Sequence, residues 1–148
     1  MIGGGLQTKL SLQLPDMATL RAMRAASPAL QEWWPEGKKY DSDGDMIHDG
    51  ESARSWHGVT WSDDRVQVLN LRDSKLEVLS PAIGQLQALT NLDLRGCPLK
   101  ELPPQIGQLR ALTSLFIGGC EQLTLAPGAE EGQPAQTIVA AYARLLIV

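Results

Sequence analysis

The sequence predicts an α/β fold, a short right-handed solenoid of about three coils with helical caps at its N- and C-terminal ends. Three observations predict it. A 23-residue unit repeats, as VQVLNLRDSKLEVLSPAIGQLQA from Val66, LTNLDLRGCPLKELPPQIGQLRA from Leu89 and LTSLFIGGCEQLTLAP from Leu112. Apolar residues recur at matching places: Val66, Leu69, Leu71 and Leu76, then Leu89, Leu92, Leu94 and Leu99, then Leu112, Leu115, Ile117 and Leu123. Only the third unit slips, because Leu123 arrives one residue late. Proline and glycine then punctuate the second half of each unit, LxPxIGxL from Leu79 and LPPxIGxL from Leu102.

The physical reading is one short parallel strand per coil, with leucines of successive coils stacking into a continuous core. A pair of amphipathic helices is the alternative, but Pro81, Pro103 and Pro104 would break them. Those prolines rule out a ladder strand, and Gly84 and Gly107 are expected to turn the chain on the convex side. Ser74, Cys97 and Cys120 stand where such repeats usually carry Asn, a small polar side chain facing backbone groups freed by the turn. With strands about 5 Å apart, the two thiols would form a buried ladder, a reading preferred over a redox switch.

At 148 residues the chain has the length of one domain, and its 43% hydrophobic content suffices for a core. Thirteen basic and seventeen acidic residues give a net charge of −4. That balance offers no basic footprint for nucleic acid or anionic lipid. No apolar run approaches the roughly 18 residues of a membrane span, and the N-terminus lacks the apolar centre of a secretory signal. A cytoplasmic location is expected. One domain is expected too: an N-terminal cap over 1–61 with an acidic loop at 41–51, repeats over 62–125, and a cap helix within 126–148.

An open solenoid exposes apolar faces at both ends, so the flanks should cover them. KLSLQL, from Lys9 to Leu14, alternates with period two and reads as an added strand. Asp16 is expected to N-cap a helix carrying Met17, Leu20 and Met23 on one side, and Ser27-Pro28 to start another leading to Leu30, Trp33 and Trp34. Trp56 and Trp61 should seat this cap on the first coil. Pro134 should begin a closing helix with Ile138, Tyr142 and Leu145 along one face.

Between these flanks, YDSDGDMIHDGES places Asp41, Asp43, Asp45 and Asp49 where a calcium loop carries carboxylates, with the backbone oxygen of Ile47 as a further ligand. Met46 stands in place of the usual turn glycine, and Ser52 in place of the closing glutamate, with Glu51 one place early. A solvated acidic loop is the competing reading, with Lys38 and Lys39 supplying part of the compensation. If Ca2+ binds, it would order the cap, not catalyse. His48 and His57 are too few and too scattered for a transition-metal site.

The repeats resemble plant-type, receptor-like leucine-rich-repeat proteins, whose LPxxIGxLxxLxxLxL stands here as LPPQIGQLRALTSLFI. SWHGVTWSDDRVQVLNL, from Ser55 to Leu71, is similar to that family's N-terminal cap, and MATLRAMRAASPALQEWW to the stretch before it. Arg54 and Trp61 occupy the positions of the family's cap cysteines, so its cap disulfide has no counterpart. LTLAPGAEEGQPAQTIVAAYARLL resembles the segment ending many intracellular arrays of this kind. The resemblance implies the fold and a recognition role, without naming a ligand.

Recognition in this architecture uses the outward positions of the strands on the concave face. These are Val68, Asn70 and Arg72, then Asn91, Asp93 and Arg95, then Ser114 and Phe116. Phe116 is the only phenylalanine. Beside Arg72 and Arg95 it forms an aromatic and arginine mixture typical of binding hot spots, unless the C-terminal segment covers it. No nucleophile motif or phosphate-cradling loop accompanies this face. A non-catalytic module binding a protein or peptide is therefore expected. The second reading is a calcium-binding structural module built on the loop from Asp41 to Asp49.

Overall fold

A computed structural model describes residues 15–34, 39–40, 46–47 and 56–146 of the chain. Lys9 to Leu14, His48, and Asp41, Asp43, Asp45 and Asp49 lie outside the described residues. Of the acidic segment, only the paired backbones of Lys39–Tyr40 (β1) and Met46–Ile47 (β2) are described. Ile47 belongs to the second of these strands.

The repeats build a ladder. Arg65–Asn70 (β4), Asn91–Asp93 (β5) and Ser114–Phe116 (β6) run parallel, with Leu69, Leu92 and Leu115 in register. Val59–Ser62 (β3) adds an antiparallel strand before β4, giving the order β3-β4-β5-β6. Asp63 and Asp64 close this hairpin with φ of 50° and 63°. Positive φ at both central residues is what a type I′ turn demands, and aspartate tolerates it better than most side chains.

Opposite the sheet, Pro81–Gln85 and Pro104–Gln108 form short 3-10 helices. The proline fixes φ at a position whose N–H is not needed, and in the first helix Ser80 Oγ caps by accepting the Ala82 N–H at 3.2 Å. Ile83, Leu86, Ile106 and Leu109 point inward to meet Leu69, Leu71, Leu92 and Leu94, all fully buried. Each such side chain contributes about 1.5–3 kcal/mol by leaving water.

Gly84 and Gly107 do not turn the chain as expected. Neither has positive φ. A Cβ on Gly107 would collide with the backbone of Tyr142 and Ala143, and one on Gly84 with the Gln108 side chain. The missing side chain permits close packing between layers. The turn after each strand is instead made at Asp73, Gly96 and Gly119, one repeat apart, with φ of 59°, 73° and 77°.

Pro15–Ala25 (α1) packs against the first 3-10 helix, and Ala135–Ala143 (α3) against the second. Pro28–Trp33 (α2) starts as expected, with Ser27 Oγ accepting the Leu30 N–H at 3.3 Å. Asp16 departs from expectation. It lies inside the first turn of α1, wholly buried, and its carboxylate crosses to β4 instead of capping the helix. There Oδ2 accepts the Val66 N–H at 2.8 Å and the Arg65 Nε–H at 3.0 Å.

The tryptophans join helix to hairpin. Trp34 stacks on Trp56 at 5.0 Å and donates its indole N–H to the His57 carbonyl at 2.8 Å. In α3, Ile138 and Tyr142 are buried as expected, and the Tyr142 hydroxyl accepts the Ala126 N–H at 3.1 Å. Leu145 is not. It falls in a 3-10 turn, Arg144–Leu146, that breaks the α-helical spacing, and stands 45% exposed.

Candidate functional site

Because strand side chains alternate, burying Leu69 and Leu92 turns their neighbours to the other face of the sheet. Register sets Val68, Asn91 and Ser114 in one row across that face, and Asn70, Asp93 and Phe116 in the next. All eight sequence-predicted positions therefore belong to one surface, with Arg72 and Arg95 at its margin just beyond β4 and β5.

A local turn repeats at that margin. Asn70 Oδ1 accepts the Arg72 N–H at 3.0 Å, and one coil later Asp93 Oδ1 accepts the Arg95 N–H at 3.0 Å. Short polar side chains that bond the backbone two residues on are the usual way to hold such a turn. In the second coil the carboxylate does more. Arg95 Nε donates to Asp93 Oδ1 at 3.0 Å and its terminal nitrogen to Oδ2 at 2.6 Å, a bidentate pair. The guanidinium carbon then stands 4.8 Å from the Phe116 ring centroid, within the range of cation–π attraction.

The three residues differ in exposure. Asp93 is buried beneath the arginine and is not itself open to a ligand, whereas Phe116 is 42% exposed. Residues 131–135 of the C-terminal segment share a cleft with the ring and leave it partly open. Burial pushes the Asp93 carboxyl up, but the hydrogen bonds and charge of Arg95, with Arg72 further off, outweigh it and hold it below its ordinary value. Arg72 has a looser contact, 3.7 Å from Asp73 with both side chains more than half exposed. Such a pair is worth little.

The thiols sit on the core side. Cys97 Sγ donates to the Leu71 carbonyl and Cys120 Sγ to the Leu94 carbonyl, each at 3.1 Å, while Ser74 Oγ lies 3.6 Å from Cys97 Sγ. Each adds a second hydrogen bond to a carbonyl that already accepts a turn N–H, from Ser74 at Leu71 and from Cys97 at Leu94. Burial pushes the Cys120 thiol up, away from the thiolate form. Among the described residues, no three His, Cys, Asp or Glu side chains converge to hold a metal ion, and no helix is long and apolar enough to cross a membrane.

Residues 88–109 match the family described as Leucine Rich Repeat. The chain carries a leucine-rich repeat over that stretch. No curated protein matches the sequence. Among solved structures, the BIR2 ectodomain from Arabidopsis thaliana is similar, with a TM-score of 0.53 and 24% identity. The likeness covers 70% of this chain and 54% of that one, so the chain spans about half of that ectodomain. It is a likeness of fold, and with the repeat match it bears out the resemblance to leucine-rich-repeat proteins.

Two elements of the site escaped sequence reasoning. The Asp93–Arg95 clamp is spaced at i and i+2, which on a regular strand puts both side chains on one face without implying a pair. Glu131, which lies beside Gly118 at the end of the sheet, sits in a Gly- and Glu-rich stretch with no periodicity to place it.

Proposed function

We propose that this leucine-rich-repeat chain is a short capped solenoid acting as a non-catalytic recognition module, which holds a protein or peptide partner on the concave face of its sheet. The observation that carries this reading is Phe116, exposed beside a guanidinium that Asp93 has already fixed in place. Aromatic and arginine residues dominate binding energy at interfaces. Preorganisation lowers the entropy lost when a partner docks. Val68, Asn70, Asn91 and Ser114 supply the polar and small surroundings, and Arg72 a second cation at the rim. Three strands span only about 15 Å at ~4.8 Å each, less than a standard interface of about 800 Å² per partner requires, so affinity should be modest.

Peptides selected by display on the intact chain supply the test, with calorimetric binding to Phe116→Ala, Arg95→Ala and the control Val78→Ala. The expected result is a loss of tenfold or more for Phe116→Ala and no change for Val78→Ala, which lies far from this face. Equal binding by Phe116→Ala and wild type would overturn the assignment.

A further inference from the structure

The parallel ladder stops at β6 with its hydrogen-bond series unfinished. The Leu71 N–H donates to the Asp93 carbonyl and the Leu94 N–H to the Phe116 carbonyl, each at 2.8 Å. Ile117 is the next member of that series, one repeat later. Likewise the Asp73 N–H donates to the Arg95 carbonyl at 2.9 Å and the Gly96 N–H to the Gly118 carbonyl at 3.0 Å, with Gly119 next. In the opposite sense, the Gln67 carbonyl accepts from Thr90 and the Thr90 carbonyl from Thr113, each at 2.8 Å, which leaves the Thr113 carbonyl. Among the described residues no strand lies beyond β6, and these two N–H groups and one carbonyl meet no backbone partner.

Thr113 and Ile117 open on a cleft of about 440 Å³ that Phe116, Glu131 and Gln133 also line, a size usual for ligand sites. Its far wall is held by Gln133, whose Oε1 accepts the Glu130 N–H at 2.7 Å and whose Nε2 donates to the Gly128 carbonyl at 3.4 Å. The cleft is not neutral. The one cation in its lining, Arg95, is matched by Asp93, whereas no ion pair engages Glu131 among the described residues. Glu131 Oε1 would stand 3.5 Å from a Cβ on Gly118, beside the free edge, and Glu130 adds a second negative charge next to it.

We infer that this edge receives an extended, basic segment of a partner polypeptide, which adds as a further parallel strand and sets a lysine or arginine on Glu131. Backbone groups of the segment complete the bonds to Ile117, Gly119 and Thr113, the mode in which strand addition gives affinity and side-chain pockets give selectivity. The inference rests on the recognition reading above and names the partner's chemistry at one end of the same sheet.

The test is an amide NMR titration of the full chain with an acetylated five-residue peptide of alternating threonine and valine carrying lysine at its centre. Two further peptides serve as controls, one with glutamate at the centre and one with backbone N-methylation. Saturable shifts at Ile117 and Gly119 are expected for the lysine peptide. The N-methylated peptide should lose them, and Glu131→Lys should weaken the lysine peptide about fivefold while favouring the glutamate one. Equal binding of the N-methylated peptide, or indifference to Glu131→Lys, would overturn the inference. So would peptide-free, concentration-dependent protection of the same amides, since a second copy would then be the occupant. Display-selected peptides that still require Phe116 and bind without shifting Ile117 or Gly119 would keep the concave-face reading while removing this one.

Discussion

The buried carboxylate of Asp16 on α1 grips Arg65 at 3.0 Å and, through the next residue, the Val66 N–H of β4 at 2.8 Å. One side chain thus ties the first helix to the first strand of the repeats. Hydrogen bonds to a charged group are worth about 1.5–3 kcal/mol each, and removing the carboxylate leaves a buried N–H unmet. Asp16→Ala should therefore destabilise the chain by about 2–4 kcal/mol, and Asp16→Asn by less, since an amide oxygen still accepts from Val66. Urea unfolding curves check this, and an unchanged midpoint for Asp16→Ala would contradict it.

Equivalent glycines should respond unequally to a methyl group. In Gly107→Ala the new Cβ meets the backbone of α3 at Tyr142 and Ala143, whereas in Gly84→Ala it chiefly meets the end of a flexible Gln108 side chain. Overpacking costs about 1–3 kcal/mol where neighbours cannot move. Gly107→Ala should show that loss in thermal melts, and Gly84→Ala, which also presses on Gln105 at 3.0 Å, should lose less than Gly107→Ala.

The depressed carboxyl of Asp93 sets a pH dependence of definite sign. Its folded value lies below the unfolded one, so its contribution is complete above the ordinary aspartate value of about 3.9 and is lost as pH falls through the lower folded value. The stability difference between wild type and Asp93→Asn should stay level from about pH 7 to about pH 5 and shrink below about pH 4. A gap that widened on acidification would mean that the pair does not favour the ionised carboxylate.

Thiol reactivity reports on the core. Both cysteines are buried, and the Cys120 thiol is held in its protonated form by burial. A colourimetric disulfide reagent should label neither in the native chain near neutral pH and both in denaturant. Cys97→Ala, which removes one of the two hydrogen bonds that the Leu71 carbonyl accepts, should cost about 0.5–1.5 kcal/mol. Rapid native labelling at Cys97 would show the ladder to be open.

What the sequence disclosed follows physical periodicity. Leucines spaced one repeat apart face one core, so Leu69, Leu92 and Leu115 fall in register, and the eight outward positions follow by alternation. Ser27-Pro28 is a local start signal and is obeyed. Contacts between distant segments were not legible: Asp16 looks like a cap because its partners Arg65 and Val66 lie some fifty residues away. Gly84 and Gly107 look like turn residues because sequence gives no measure of how closely α3 approaches. Leu145 continues a helical spacing that Arg144–Leu146 abandons for 3-10 geometry. The clamp of Asp93 on Arg95 depends on side-chain rotamers, which spacing alone does not fix.

The most direct measurement of the recognition claim is hydrogen–deuterium exchange on the full chain, free and saturated with a display-selected peptide. The expected result is added protection in peptides covering 68–72, 91–95 and 114–119, with 81–85 and 104–108 unchanged. Protection confined to the 3-10 side, with the strands unaffected, would contradict binding on the concave face.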